Sequence, residues 1–197
     1  GDGGMFPLWG RVRTFAITES QKLCKAPIPY SNNPKSSFYS EALQVYNTCN
    51  ASMSYEEKWI AEFWSDDFFE VTFEPAARLI AIANQLIVED DIKLDQAVEL
   101  YAKLGMSMAD ASIAIWNSKY IYNVLRPIEF IRKNIDPNWQ TLLNHPYTGV
   151  KSLTPEFPAY PSGHSGFSGA GTAILTDIFG SNRAFTDNCH LGRTEFL

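Results

Sequence analysis

The stretch from Pro158 to Leu175, Pro-Ala-Tyr-Pro-Ser-Gly-His-Ser-Gly-Phe-Ser-Gly-Ala-Gly-Thr-Ala-Ile-Leu, limits what this chain can fold into more than any other. Two prolines and a glycine stand ahead of small residues that turn apolar at helical spacing. This reads as an extended loop running into the start of a buried helix over roughly 164–178. Gly166, Ala170 and Ala173 share one face at i, i+4 and i+7, so another helix can pack very close. The free N–H groups and positive dipole end of such a helix form an anion site. Ser162 adds a hydroxyl there, and Gly163 lets a ligand approach the backbone. His164 stands beside it with an imidazole that can give or take a proton near neutral pH. The plainer alternative is a capped core helix with a buried, hydrogen-bonded histidine. Pro-Ser-Gly-His taken alone does not choose between them.

Upstream, the pattern is helical throughout. Residues 1–37 mix Gly, Pro, Asn and aromatics without a period, and read as an irregular N-terminal extension draped over the domain, with Trp9 and Phe15 tucked in. A helical domain follows over 38–197. Apolar residues at 38, 42, 45 and 46 predict a short helix. Ser54-Tyr55-Glu56-Glu57 is a capping box ahead of Trp59, Ile60, Phe63 and Trp64. Pro75 suits the first turn of a helix, and Asp90 and Asp91 end it or begin the next. Ala97, Leu100, Tyr101 and Leu104 make another stripe, with Gly105 read as its stop. Ser107-Met108-Ala109-Asp110 then reads as a second capping box, opening a helix that runs to a break at Arg126-Pro127. Residues 134–162, rich in Asn, Pro, Thr and Gly, form a loop long enough to be functional. No segment alternates as a strand does. The fold class is all-α, about six to eight helices around one core.

Charge narrows the partners. The formal net charge is −6, which argues against general nucleic-acid or anionic-membrane binding, so an anion must be caught by a local cationic pocket. Lys119 and Arg126 supply one. On a continuous helix, seven residues put them about 20° apart around the axis and roughly 10.5 Å along it. Two surface cations are the ordinary reading of such a pair, but Ile113, Trp116, Tyr120 and Val124 make much of this helix apolar. A cationic edge beside that core suits a pocket wall.

The three cysteines, Cys24, Cys49 and Cys189, show no metal-ligand spacing, though Cys24 and Cys49 can pair in an oxidising compartment. No apolar run approaches the roughly 18–20 residues of a membrane span. The opening Gly1-Asp2-Gly3-Gly4 reads as an engineered or processed start, compatible with removal of a signal peptide or lipid anchor. Asn50-Ala51-Ser52 is formally a glycosylation sequon.

Lys119-Tyr120-Ile121-Tyr122-Asn123-Val124-Leu125-Arg126-Pro127 resembles the K-x6-R-P first signature of the type 2 phosphatidic acid phosphatase and vanadium haloperoxidase superfamily. Pro161-Ser162-Gly163-His164 is similar to its second signature, and the two stand in the family's order. Chance alone produces Pro-Ser-Gly-His in about one chain in a thousand of this length. The resemblance covers the chain from about residue 38 onward, is nearest to the soluble haloperoxidase-like branch, and implies an α-helical bundle. The third signature of the family, S-R-x5-H, is not found. Ser181-Asn182-Arg183 with His190 differs in spacing, and His145 lies in the wrong order. The chain is read as C-terminally truncated before that signature.

The resemblance implies an oxyanion pocket. Lys119 supplies a point charge and Arg126 a planar fork, while Ser162 and the Gly163 N–H add hydrogen bonds and His164 acts as general acid and then base. The expected activity is a metal-independent phosphatase acting on a phosphomonoester or pyrophosphate through a phosphohistidine, without cofactor, this chain lacking the nucleophile segment and so being inactive alone. The alternatives are a vanadate-dependent haloperoxidase, with vanadate as cofactor, and a non-catalytic anion-binding or scaffold domain. Expected partners are a small phosphorylated substrate or an inorganic oxyanion, and a second copy of the chain through an incomplete C-terminal face. The expected location is extracytoplasmic.

Overall fold

Leu100, Leu104, Met108, Ile115 and Trp116 recur at helical spacing, and each is 6% exposed or less. They belong to one uninterrupted helix, which forms the axis of the molecule. The computed structural model describes residues 4–65, 74–145 and 148–188. Among these residues there are two short 3-10 turns, no strand, and six α-helices: α1 (Ser37–Asn50), α2 (Tyr55–Phe63), α3 (Pro75–Glu89), α4 (Leu94–Tyr122), α5 (Pro127–Asn134) and α6 (Gly163–Phe179). The all-α bundle expected from the pattern is the fold.

α4 corrects the expected stop at Gly105. Gly105 is exposed, with space around it, and costs the helix about 1 kcal/mol relative to alanine. Leu104 just before it and Met108 just after it are buried, each worth about 1.5–3 kcal/mol. Burial wins, and the helix continues. The second capping box does not form either: the Ser107 hydroxyl donates back to the Leu104 carbonyl at 3.2 Å. Asp110 is buried in mid-helix and accepts from the N–H groups of Phe15, Ala16 and Ile17 at 2.7, 2.7 and 3.1 Å. The first capping box does form. Glu57 accepts from the Ser54 N–H at 2.7 Å, and the Ser54 hydroxyl accepts from the Glu57 N–H at 3.2 Å.

The long helix also ends early. Asn123 takes the left-handed conformation (φ 46°) and its N–H donates to the Lys119 carbonyl at 2.8 Å, closing α4 four residues before Pro127. Asparagine tolerates this geometry better than most residues. Arg126 is extended, as a residue before proline must be, and Pro127 opens α5. Lys119 and Arg126 therefore do not share a helix face.

α6 lies across α4 and α3. A Cβ on Gly166 would collide with Ile115 of α4, and one on Gly171 would stand 2.6 Å from Leu79 of α3. Close packing therefore uses Gly166 and Gly171, while Ala173 of the expected face is exposed. The main core gathers Leu79, Ile82, Leu86, Leu100, Leu104, Met108, Ile115, Trp116 and Phe167. A second cluster joins α1 to α5 through Ala42, Ile128, Phe130, Ile131 and Trp139. The stripe expected after the first capping box is not core: Trp59 and Ile60 of α2, and Trp64 just after it, are about half exposed.

The N-terminal residues run along α4. A Cβ on Gly10 would meet the Asn117 backbone, and Trp9 packs on Trp116 with ring centres 4.7 Å apart. Phe15, expected inside, is 59% exposed, because its backbone rather than its ring is held, by Asp110. Lys22 is buried beside it, donating to the Val12 carbonyl at 2.9 Å and pairing with Glu19 at 2.6 Å. Burial alone would raise the Asp110 carboxyl, but its three N–H donors and the charge of Lys22 hold it below the ordinary range. Cys24 and Cys49 are free thiols. Cys189 lies outside the described residues.

Candidate functional site

Lys119 sits in the last turn of α4 on its inward side and is 1% exposed, while Ile121 in the same turn faces solvent. A buried ammonium needs partners. Its Nζ donates to the Pro158 carbonyl at 2.8 Å and the Ala159 carbonyl at 3.4 Å, and lies 4.8 Å from the Phe157 ring centre. Arg126, at the N-terminal edge of α5, reaches the same segment from the other direction. Its Nε donates to the Phe157 carbonyl at 2.7 Å and its guanidinium carbon lies 4.5 Å from the same ring. The Ala159 N–H donates to the Val124 carbonyl at 2.9 Å, tying this segment to the α4–α5 junction. The early end of α4 removes the shared helix face but brings both cations onto Phe157-Pro158-Ala159.

That segment leads directly into α6. Ser162 caps the helix, its hydroxyl oxygen accepting from the Ser165 N–H at 3.2 Å. The hydroxyl hydrogen remains available to a ligand, since a serine both donates and accepts. A Cβ added to Gly163 would meet nothing within 4 Å, so the space beside the first residue of α6 is open. His164 is partly buried, and its Nε2 atom is buried with no hydrogen-bond partner among the described residues. Such an orphaned ring nitrogen costs free energy unless something polar meets it. The alternative of a hydrogen-bonded core histidine does not hold for this nitrogen.

The remaining residues weighed from the sequence lie elsewhere. His145 is in the loop after α5, where its Nδ1 accepts from the Thr148 N–H at 3.2 Å. Arg183 pairs with Glu89 at 2.8 Å and Asp90 at 2.6 Å at the end of α3, as a structural clamp. His190 lies outside the described residues. Among the described residues no group of three His, Cys, Asp or Glu side chains is placed to hold a metal ion, and no helix is long and apolar enough to cross a membrane.

The residue that sequence reasoning missed is Phe157. Its ring meets both cations and packs on Trp116 with centres 5.2 Å apart. An aromatic directly ahead of Pro158-Ala159-Tyr160-Pro161 was the available signal.

A family model described as the VCPO second helical-bundle domain matches residues 99–196. Vanadium chloroperoxidase of Curvularia inaequalis is 26% identical over 188 residues, an alignment covering 83% of this chain and 31% of that protein. A solved structure described as that of the first bacterial vanadium-dependent iodoperoxidase superposes with a TM-score of 0.85 at 33% identity. It covers 95% of this chain and 45% of that one. The chain therefore spans less than half the length of either relative.

Proposed function

This chain belongs to the type 2 phosphatidic acid phosphatase and vanadium haloperoxidase superfamily, and from that premise we propose that it supplies the oxyanion pocket of a vanadate-dependent haloperoxidase. The observation that carries the reading is the buried, unpartnered Nε2 of His164 at the open start of α6. An oxyanion suits this place: two cations behind the loop, unused N–H groups at a helix start, a serine hydroxyl, and a ring nitrogen with nothing to bond.

Lys119 and Arg126 offset the negative charge, with Arg126 presenting a rigid fork and Lys119 a point charge. Both are held by backbone carbonyls and the Phe157 ring, so little reorganisation is needed when an anion arrives. Ser162 and the Gly163 N–H orient the oxygens. His164 holds or moves a proton at Nε2 beside them. When bound, vanadate supplies the Lewis-acidic centre at which peroxide is activated toward a halide. Tetrahedral phosphate makes the same demands on these residues, so phosphoester hydrolysis is the competing chemistry of the same pocket.

The test takes the full protein to which this sequence belongs, adds vanadate, peroxide and iodide or bromide, and follows halide oxidation. In parallel, a phosphomonoester is supplied without vanadate. Vanadate-dependent halide oxidation is expected. Phosphomonoester hydrolysis without halide oxidation would assign the pocket to phosphoryl transfer, and neither activity would reduce it to an anion-binding scaffold.

A further inference from the structure

Behind the cations, Met5 is tied in three ways. Its carbonyl oxygen accepts from the Tyr120 hydroxyl at 2.7 Å and from the Trp116 indole N–H at 3.2 Å. Its own N–H donates to the Glu156 carbonyl at 2.7 Å. Glu156 immediately precedes Phe157, the residue on which Lys119 and Arg126 both rest. Gly4 completes the joint: a Cβ there would stand 2.6 Å from the Tyr120 hydroxyl oxygen and 2.8 Å from the Glu156 carbonyl oxygen. Only a residue without a side chain lets the three segments meet this closely.

α4 therefore reaches the loop ahead of α6 by two routes. One is direct, through Lys119. The other passes from Tyr120, the next residue along, through Met5 to Glu156. Burial pushes the Tyr120 phenol above its ordinary range, which keeps the hydroxyl protonated and donating. The segment between α5 and α6 has no helix of its own, and fixing such backbone costs conformational entropy at every residue. A pocket whose walls are already fixed loses less of its binding free energy to ordering.

We propose that Tyr120 is a positioning residue for the oxyanion pocket, acting through Met5 and Glu156 on the placement of Phe157. This rests on the oxyanion reading given above. None of the strap's hydrogen bonds goes to His164 or Ser162, and it meets the pocket through Phe157.

The experiment uses Tyr120→Phe, which keeps the ring and removes only the hydroxyl. Hydrogen exchange of the Ala159 amide, bonded to the Val124 carbonyl, reports the loop directly by NMR. Vanadate affinity is measured by calorimetry on the same samples. Loss of one neutral hydrogen bond changes an equilibrium by roughly twofold to tenfold. Ala159 exchange is expected to quicken and vanadate affinity to fall, each within that range, while exchange in the core of α4 stays put. Gly4→Ala should do the same. Combined with Tyr120→Phe it should add less than its single effect, because removing the hydroxyl relieves the closest contact of the new methyl. Unchanged Ala159 exchange, or a change shared equally by the core amides, overturns the strap whatever the protein binds. Faster Ala159 exchange with no vanadate binding by any variant keeps the strap and overturns the oxyanion reading instead.

Discussion

Arg126 donates through Nε to the carbonyl oxygen of Phe157 at 2.7 Å and also stacks its guanidinium 4.5 Å from the centre of the Phe157 ring. Backbone and side chain of one residue thus orient one cation. Arg126→Lys keeps the charge but loses both the fork and the stacking plane. Vanadate or phosphate affinity, measured by calorimetry, should fall roughly tenfold or more. Near-normal affinity in Arg126→Lys would mean that charge alone suffices there.

The Phe157 ring offers a second, milder test. Phe157→Leu keeps the apolar volume against Trp116 but removes the π face that both cations use. A cation–π contact is worth about 0.5–2 kcal/mol, depending on how dry it is. Oxyanion affinity should drop several-fold with little change in melting temperature. A large loss of stability with intact affinity would instead make Phe157 a core residue.

His164→Ala separates chemistry from binding. A general acid or base acts mainly in the transition state, so turnover by the full protein should fall about 10²–10⁴-fold. Oxyanion affinity should fall much less, because the Lys119 and Arg126 charges remain. Turnover within a factor of about two of the parent would remove His164 from its assigned role.

Two glycines should respond in opposite ways to alanine. Gly10 lies against the Asn117 backbone, which cannot step aside, so Gly10→Ala should destabilise the fold by about 1–3 kcal/mol. At Gly163 the added methyl meets nothing, and alanine is the better helix former. Gly163→Ala should leave the melting temperature unchanged or slightly raised, yet weaken oxyanion binding by occupying its approach. Equal destabilisation by both substitutions would contradict this account of their surroundings.

Asp110 predicts a pH dependence. Its carboxyl is held below its ordinary value of 3.8 in the folded protein, so the native state favours the ionised form. The stability it contributes is fully present above that ordinary value and is lost as pH falls through the lower folded one. Asp110→Asn should therefore cost about 1–3 kcal/mol at pH 7, since an amide cannot accept all three N–H donors. The gap between parent and variant should narrow in thermal melts taken below pH 3.8. A gap that stays constant with pH would mean the carboxylate charge is irrelevant.

The sequence by itself determined the helical class and the start of α6. Each depends on local spacing: apolar residues every three or four positions, a serine cap before a glycine, a proline at N1 of α3 and α5. What it misjudged are contests between local preference and burial. Gly105 and Ser107 look like a stop and a start, but Leu104 and Met108 are buried against α3 and α6, and packing carries the helix through. Asp110 looks like a capping residue, whereas its partners lie about ninety-five positions away at the N-terminus. The end of α4 at Asn123, rather than at Pro127, was a choice between two locally acceptable breaks. Only tertiary structure made it, because closing the helix early lets Lys119 and Arg126 both meet the carbonyls of residues 157–159. Phe157 and Met5 were invisible for the same reason: their roles are long-range contacts, and no local spacing encodes which distant carbonyl a buried cation or phenol will find.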